Sequence, residues 1–466
     1  MSRLPKSLLL LPALLVAAAI APAAASASSK QVMTFEAPRE LLSDADRDRT
    51  LDQIKAFGVD RIRVLMYWSS IAPAANSAKR PAFDAADPGA YPAASWGRYD
   101  NLMQAARARG IEVYVTLTGP APRWATRRKR DNLTDPSAKE FRAFATAAGR
   151  RYGEQVAIWS IWNEPNQPQF LKPQFRRGRA ASPAIYRRLY RGARKGLHAA
   201  GNAGDTILLG ETSPRGNARI VAPLAFLRGT LCLSRSYRKR SRCGRLDAEG
   251  YAHHPYSRSS GPTFVEPDRD DVTMSGISRL VRALDRAGRA RAVKRGLGVY
   301  LTEFGTQSKP DPLAVSLAQQ AEYNAMSERL AFLNKRVRTF SQYLMSDDAP
   351  GEGRERYGGF ESGLRRFDGR PKPAYEAFRL PLVVTDYGRS DVGWGLVRPA
   401  RGTRTTVVVQ YRNRGAKAYR DLDTITTNSR GAFAFKTRSS KGRRYRVRWT
   451  APDGAVFTGP PIRAYR

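Results

Sequence analysis

Two glutamates far apart in the chain, Glu164 and Glu303, each stand at the end of an apolar run. The first run, residues 156–166, reads Val-Ala-Ile-Trp-Ser-Ile-Trp-Asn-Glu-Pro-Asn, and the second, residues 297–305, reads Leu-Gly-Val-Tyr-Leu-Thr-Glu-Phe-Gly. Runs without polar alternation are typical of strands that are buried on both faces. A parallel barrel keeps its reactive side chains at the carboxyl ends of such strands. Two carboxyls that meet there, one protonated and one ionised, can cleave an acetal bond.

The separation of the two glutamates along the chain fits an α/β fold, the (β/α)8 barrel. If residues 30–380 form eight strand–helix units, each unit has roughly 44 residues, which is within the usual size of this fold. Three units, the interval from strand four to strand seven, then span roughly 130 residues. The two glutamates are 139 residues apart. The sequence therefore predicts that Glu164 ends strand four and that Glu303 ends strand seven.

The Asn-Glu-Pro motif at residues 163–165 and the glutamate of the later run resemble glycoside hydrolase clan A, which includes the cellulase-like family 5 and family 39. The resemblance implies that Glu164 is the acid/base, that Glu303 is the nucleophile and that Asn163 is a helper amide for the sugar 2-hydroxyl. The activity that it implies is hydrolysis of β-linked O-glycosidic bonds in an oligosaccharide or polysaccharide, with retention of configuration. No cofactor is expected, and three histidines without a His/Cys cluster argue against a metal centre.

A second strand is predicted at residues 61–68, where Arg63, Leu65 and Tyr67 share one face by the period of two. An arginine that points into a barrel needs a carboxylate partner. In the clan an arginine at this place lies beside the nucleophile, so the resemblance makes Arg63 the partner that keeps Glu303 ionised. The alternative is that Arg63 faces the surrounding helices and that its guanidinium extends to solvent.

Residues 250–256, Gly-Tyr-Ala-His-His-Pro-Tyr, match the His-x-Tyr that the clan carries at the end of strand six. The resemblance implies that the Tyr256 hydroxyl bonds the nucleophile and that His254 lies near the acid/base or the substrate. His253 has the wrong parity for these roles, and we expect it to be structural.

Three further residues are candidates for the substrate site, each with an open alternative. Trp124 follows strand three and either stacks on a sugar ring or packs its own loop. Family 5 commonly ends strand eight with a tryptophan, whereas this chain has Tyr343 there. Tyr343 takes the stacking role unless the loop containing Tyr357 and Phe360 forms the floor of the site. Glu211 ends strand five and is a rival carboxyl that could bind substrate, although we expect it in a surface loop.

The chain is too long for one ordinary core and predicts a barrel with an appendage. Residues 1–27 combine basic residues, an apolar run from Leu8 to Ile20 and a final Ala-Ser-Ala, which is the pattern of a cleaved signal peptide. The protein is therefore expected to be secreted. The catalytic barrel is predicted over residues 28–380. Residues 381–466 contain short strands joined by Asn/Ser/Gly turns and predict a small β-sandwich, which resembles the immunoglobulin-like modules of exported hydrolases.

The formal net charge of the chain is +39, with basic residues along its whole length. Such a field attracts an anionic polysaccharide, a cell wall or nucleic acid. The alternative is that arginine is simply the solvated surface residue of this chain. No nucleic-acid-binding motif accompanies the charge, so nucleic acid is not an expected partner. No segment after the signal is apolar enough for a membrane span, and we expect a monomer.

The two cysteines, Cys232 and Cys243, lie in one arginine-rich stretch. In an exported protein this arrangement predicts a loop disulfide, with two free thiols as the alternative.

A second hypothesis for the whole chain is a non-catalytic carbohydrate- or wall-binding protein on a barrel scaffold. Such a protein would use its positive field to hold anionic glycans. Turnover of aryl β-glycosides, as against salt-sensitive binding alone, distinguishes the two hypotheses.

Overall fold

The computed structural model describes residues 31–240, 243–353, 356–399 and 404–466. The signal peptide predicted at residues 1–27 lies outside the described residues. Eight strands of the first part of the chain form one sheet: β1 (Val32–Glu36), β2 (Arg61–Tyr67), β3 (Glu112–Thr118), β4 (Ile158–Ile161), β5 (Thr206–Thr212), β6 (Gly250–His253), β7 (Gly298–Leu301) and β8 (Val337–Tyr343). Each strand pairs with the next, and β8 pairs with β1 in parallel, so the sheet closes into a barrel. The predicted (β/α)8 barrel is confirmed.

In the described ranges, ten α-helices lie between and after these strands: α1 (Pro38–Leu41), α2 (Arg47–Ala56), α3 (Trp68–Ile71), α4 (Ala93–Ala108), α5 (Ala138–Tyr152), α6 (Ser182–Ala199), α7 (Pro223–Thr230), α8 (Ile277–Arg289), α9 (Leu317–Phe332) and α10 (Pro373–Arg379). The helix starts follow local chemistry. Ser316 caps α9 in a reciprocal capping box with Gln319. Prolines occupy the first turn of α6, α7 and α10, where their missing amide hydrogen costs nothing.

The register between β2, which carries Arg63, and its neighbour β3 is regular. Seven consecutive pairs, from Arg61 opposite Glu112 to Tyr67 opposite Thr118, join β2 to β3. Both strands are buried along most of their length, as expected when helices cover one face and side chains fill the interior. This register places Arg63 level with Tyr114 inside the barrel.

The C-terminal part of the chain folds into two antiparallel sheets. Its strands are β9 (Leu382–Asp386), β10 (Ser390–Leu396), β11 (Thr406–Arg412), β12 (Arg420–Thr426), β13 (Ala432–Arg438), β14 (Arg444–Thr450), β15 (Val456–Thr458) and β16 (Ile462–Arg463). One sheet has the order β9-β10-β13, and the other has the order β12-β11-β14-β15, with β16 also paired to β14. An apolar cluster that includes Val409, Phe435 and Trp449 fills the space between the sheets. The predicted β-sandwich architecture is confirmed.

The barrel and the sandwich share a small apolar contact. Phe332 of α9 packs against Trp394 of β10, with ring centroids 5.2 Å apart. The same cluster of buried residues includes Ala325 of α9 and Val383 of β9. Beside it, Arg398 forms a buried ion pair with Glu328 of α9. The three-stranded sheet therefore rests on a barrel helix through both apolar and ionic contacts.

The loop after α7 is closed by a covalent bond. Cys232 and Cys243 form a disulfide, with their Cα atoms 6.1 Å apart. Within the described residues, no helix combines the length and the apolar character that are needed to cross a bilayer.

Candidate active site

The mouth of the barrel, at the carboxyl ends of its strands, gathers the charged residues on which the site depends. Glu36 ends β1, Arg63 lies in β2 and Glu211 lies in β5, while Glu164 and Glu303 follow the ends of β4 and β7. All five are buried, and the two glutamates of the apolar runs are 8% and 7% exposed. This is the face at which a parallel barrel places its chemistry.

The turn after β4 is held in an unusual backbone conformation. Trp162 and Glu164 have φ angles of +65° and +39°, and Glu211 in β5 has a φ of +52°. A left-handed backbone at a residue other than glycine costs on the order of 1–3 kcal/mol, so the surrounding contacts must hold it. In one such contact the backbone NH of Asn163 donates to Thr118 Oγ1 of β3 at 3.0 Å. The packing of the barrel thus fixes the orientation of Glu164 and Glu211, which lie at the ends of β4 and β5.

Arg63 is the hub of the site. Its Nη1 donates to Glu36 Oε2 at 2.8 Å and to Glu303 Oε2 at 3.0 Å. Its Nη2 donates to Asn163 Oδ1 at 2.9 Å and to Glu211 Oε2 at 3.2 Å. The arginine side chain is fully buried and points into the barrel, so the alternative of a solvent-facing guanidinium is wrong. Because the carboxylates of Glu211 and Glu36 outweigh the cost of its burial, the pKa of Arg63 lies well above its ordinary value.

Glu303 receives a hydrogen bond on each carboxylate oxygen. Arg63 binds Oε2, and the Tyr256 hydroxyl donates to Oε1 at 2.8 Å. Burial and the charge of Glu303 together raise the pKa of Tyr256 well above its ordinary range, so this phenol stays a proton donor. The structure thus brings together the arginine, the tyrosine and the carboxylate that the sequence grouped.

Glu164 faces Glu303 across the mouth. One carboxylate oxygen of Glu164, one of Glu303 and a ring nitrogen of His254 all lie within 4.8 Å of one another. Glu164 Oε1 is 3.0 Å from His254 Nδ1, and its Oε2 accepts a hydrogen bond from the Gln167 amide. Burial raises the pKa of Glu164, and the charge of Glu303 adds to that rise, while the hydrogen bond to His254 opposes it. The net direction favours a protonated acid.

His254 connects Glu164 to a second carboxylate at the end of β5. Its Nε2 is 2.6 Å from Glu211 Oε2. Burial alone would lower the pKa of His254, but the carboxylates of Glu303, Glu164 and Glu211 raise it to about 10. The imidazolium then donates from both ring nitrogens, to Glu164 on one side and to Glu211 on the other.

Glu211 is not the surface-loop residue that the sequence led us to expect. It is fully buried, it accepts hydrogen bonds from Tyr114 and Thr302, and it pairs with Arg63. Burial opposes its ionisation, but Arg63 and His254 hold its pKa well below the ordinary range. The expectation failed because a carboxylate that ends a strand can turn into the barrel once two cations are there to meet it.

Glu36 is a member of the site that the sequence analysis missed. Its Oε2 accepts from Arg63, while Oε1 is buried and has no hydrogen-bond partner within the described part of the chain. Burial raises the pKa of Glu36 well above its ordinary value, although Arg63 acts in the opposite direction. The signal that could have found Glu36 is the one used for Glu164 and Glu303, a carboxyl at the end of a strand.

Trp124 and Tyr343 differ in their access to the site. Trp124 is 4% exposed, its ring packs edge-on against Trp68, and its indole NH donates to Pro73 O at 3.1 Å. It therefore packs its loop and does not offer a face to a sugar, which corrects the stacking interpretation. Tyr343 is partly exposed and packs edge-on against Phe360, with centroids 5.1 Å apart. Tyr343 is the last residue of β8, at the mouth of the barrel, and burial and the charge of Glu303 raise its pKa well above the ordinary range.

His253 is structural, as expected from its parity. Its Nδ1 is 2.9 Å from Thr212 Oγ1, and its Nε2 is 2.7 Å from Val272 O. Burial lowers the pKa of His253 to about 3, so the ring stays neutral beside the charged His254.

A metal ion has one candidate position among the described residues, the group Glu164, His254 and Glu303. The Nδ1 of His254 is already engaged with Glu164, and the Nη1 of Arg63 already binds Glu303. The hydrogen bonds use the atoms that a cation would need, and the arginine places a positive charge beside them. The arrangement fits acid–base chemistry better than metal ligation.

Comparison with known proteins shows what the barrel part of this chain is similar to. Residues 25–226 match the family model described as cellulase, glycosyl hydrolase family 5. The matched range contains Arg63, Asn163, Glu164 and Glu211 and ends before Glu303. Residues 25–226 are therefore similar to glycoside hydrolase family 5, which agrees with the resemblance to clan A. Together with the facing glutamates, this match supports a glycosidase.

Two solved structures of glycoside hydrolases show the same fold. One is a family 39 glycoside hydrolase from the gut symbiont Bacteroides cellulosilyticus WH2, with 17% sequence identity, a TM-score of 0.53 and coverage of 91% of this chain and 81% of that chain. The other is GH5_18 from Streptomyces cattleya in complex with GlcNAc, with 16% identity, a TM-score of 0.50 and coverage of 75% of this chain and 81% of that chain.

Proposed function

We propose that the protein is a secreted, retaining glycosidase that hydrolyses β-linked O-glycosidic bonds of an oligosaccharide or polysaccharide. The observation that carries the proposal is the approach of Glu164 and Glu303 to within 4.8 Å across the mouth of the barrel. Retaining enzymes hold their two carboxyls about 5–5.5 Å apart, whereas inverting enzymes keep about 6.5–9.5 Å to admit a water molecule. An approach this close favours the retaining class, in which Glu303 attacks the sugar itself.

In the first step, Glu303 attacks the anomeric carbon while Glu164 gives its proton to the leaving oxygen. The Arg63 and Tyr256 donors fix the attacking carboxylate and keep its charge at one place. Burial, which raises the pKa of Glu164, keeps a proton available for the leaving group. Asn163, fixed by Arg63, is placed to bond the sugar 2-hydroxyl.

In the second step, Glu164 acts as the base. It has lost its proton, and it removes a proton from the water that attacks the glycosyl–Glu303 ester. The neighbouring His254 imidazolium stabilises the Glu164 carboxylate while it is charged. The free enzyme is restored when the ester bond breaks and Glu303 regains its negative charge.

Two measurements test the proposal. Proton NMR of the first product released from an aryl β-glycoside should show the β-anomer, whereas an initial α-anomer would refute retention. Glu164→Gln and Glu303→Gln should each lower kcat by at least about a thousandfold.

The matched control for these variants is Glu154→Gln, which changes an exposed glutamate in the same way. It should keep activity within about twofold of the wild type, because surface substitutions have small effects. Full activity in the Glu303→Gln variant, or polysaccharide binding without turnover in the wild type, would contradict the assignment. Export is tested separately, because the mature protein should begin after Ala27.

A further inference from the structure

A groove lined by arginines runs along the outside of the barrel between α7 and α8. Its volume is about 310 Å³, and its lining includes six arginines and one aspartate, a formal charge of +5. The arginines are Arg228, Arg235, Arg269, Arg279, Arg282 and Arg286. None of them takes part in the site at the mouth of the barrel.

Half of these arginines are engaged within the protein. Arg228 forms a two-pronged ion pair with Asp270, at 2.8 and 2.5 Å. Arg279 donates to the backbone carbonyls of Asp268 and Asp271, and Arg286 donates to a carbonyl in the disulfide-closed loop. These contacts fix the walls of the groove.

The other three arginines, Arg235, Arg269 and Arg282, are exposed. Their guanidinium groups make no hydrogen bond or ion pair with any residue in the described ranges. On α8, Arg282 lies three residues after Arg279 and four before Arg286, so like charges occupy one helix face and repel one another. A bound anion would relieve this repulsion, and each guanidinium has a fork of donors free to hold it.

One wall of the groove is built on Tyr237. Its ring is 8% exposed and lies beneath the guanidinium groups of Arg286, at 4.3 Å, and of Arg228, at 5.7 Å. The loop that carries Tyr237 and Arg235 is closed by the disulfide between Cys232 and Cys243. The charges are therefore held apart by packing before any ligand arrives.

We propose that this arginine groove binds the acidic groups of an anionic polysaccharide. A planar guanidinium group can donate two parallel hydrogen bonds to the two oxygens of a carboxylate or a sulfate. Tyr237, the aromatic residue in the groove lining, is buried under arginine, so the groove offers no platform on which bases of a single-stranded nucleic acid could stack. The choice of a polysaccharide over other polyanions rests on the proposed glycosidase function.

The groove and the mouth of the barrel are joined by one connection. Residues 254–276 link β6 to α8, and they contain both Tyr256, which binds Glu303, and Arg269, which lines the groove. A polymer bound at the groove is thus held by the protein through more sugar units than the few that contact the mouth. The groove acts as an anchoring site, separate from the bond that is cleaved.

The test compares two triple variants of the full-length protein that carry the same change in net charge. The groove variant is Arg235→Gln, Arg269→Gln and Arg282→Gln. The matched control replaces three exposed arginines on α4, α5 and α6, with Arg107→Gln, Arg142→Gln and Arg191→Gln. Binding of polygalacturonate, dextran sulfate, neutral dextran and a single-stranded DNA oligomer is measured by calorimetry at about 0.1 M salt, where long-range attraction is screened.

The groove variant should bind polygalacturonate or dextran sulfate at least about tenfold more weakly than the wild type, and the control should stay within about twofold. Equal weakening in both triple variants would overturn the proposal, because net charge alone would then explain binding. Absence of polysaccharide binding by the wild type, or DNA binding that is as tight and equally sensitive to the groove variant, would also overturn it.

Turnover of a small neutral aryl glycoside should be the same in the wild type and both triple variants. If no glycoside is turned over by any of them, the proposed glycosidase function fails, while the calorimetric comparison still decides whether the groove binds anions.

Discussion

The free energy of unfolding should fall as the pH rises, because His254 is buried as an imidazolium. The pKa of His254 is raised from 6.5 to about 10, since the carboxylates of Glu303, Glu164 and Glu211 outweigh its burial. Between these two pKa values, the imidazole of His254 holds a proton in the folded state and has released it in the unfolded state. The unfolded state therefore binds fewer protons, and stability declines with pH. The contribution is fully present below about pH 6.5 and is lost as the pH passes about 10.

The size of the effect follows from the width of this window. One extra proton in the folded state changes the free energy of unfolding by about 1.4 kcal/mol per pH unit, so the loss across the window is about 5 kcal/mol. Urea unfolding at several pH values and constant ionic strength measures it. Tryptophan fluorescence is a suitable signal, since five of the seven tryptophans lie in the barrel.

The comparison that isolates His254 uses His254→Gln, with His198→Gln on the exposed face of α6 as the matched control. The His198 variant should keep the pH slope of the wild type, and the His254 variant should lose it. If His254→Gln does not fold, Glu211→Gln serves instead, because loss of that carboxylate lowers the pKa of the imidazole and shifts the decline to lower pH. Equal slopes in the wild type and the His254 variant would refute the reasoning.

Four further substitutions test the packing of the site and of the barrel around it by chemical or thermal denaturation. Arg63→Gln should lower the free energy of unfolding by about 3–5 kcal/mol, because it leaves buried carboxylates without their cation; a loss below about 1 kcal/mol would contradict the hub role. Glu36→Gln should destabilise the protein less than Arg63→Gln does near neutral pH, because burial raises the pKa of this carboxyl and so opposes its negative charge. A cost as large as that of Arg63→Gln would show that Glu36 is ionised. Gly119→Ala should cost about 1–3 kcal/mol, since the new Cβ would approach the Trp162 ring to 2.4 Å. Gly97→Ala, with no atom within 4 Å, should stabilise α4 by up to about 1 kcal/mol.

The barrel could be predicted because the apolar runs of its strands, and the intervals between them, can be read from the sequence alone. They do not depend on which residues pack against them in space. The run at residues 156–166 contains β4, and the run at residues 297–305 contains β7. Period two correctly placed Arg63 inside the barrel. In the sandwich, short strands joined by turns were expected, and β11, β13 and β14 have this form. The strands with short or mixed patterns, such as β9 and β10, carried too little periodicity to be identified.

The features that the sequence did not predict depend on contacts between residues that are far apart in the chain. Asp135 and the proline after it look like a helix start, yet Ser137 caps α5. Asp135 instead takes a φ of +50° and pairs with arginines that lie far along the chain, among them Arg176 and Arg188. Local propensity could not reveal these partners. The inward turn of Glu211 is a second case, because its burial depends on cations contributed by β2 and by the segment after β6.

The contact between α9 and the three-stranded sheet makes the barrel depend on the sandwich for part of its stability. Phe332 and Ala325 are covered by the sandwich, and Glu328 has its countercharge on Arg398, beyond the last barrel helix. A truncation after Leu380 would strip that cover, leaving a bare apolar strip and an unmatched carboxyl on the barrel surface. Such a shortened enzyme should aggregate more readily than the full chain. The sandwich therefore works as part of the fold's own support, and the two units should melt together.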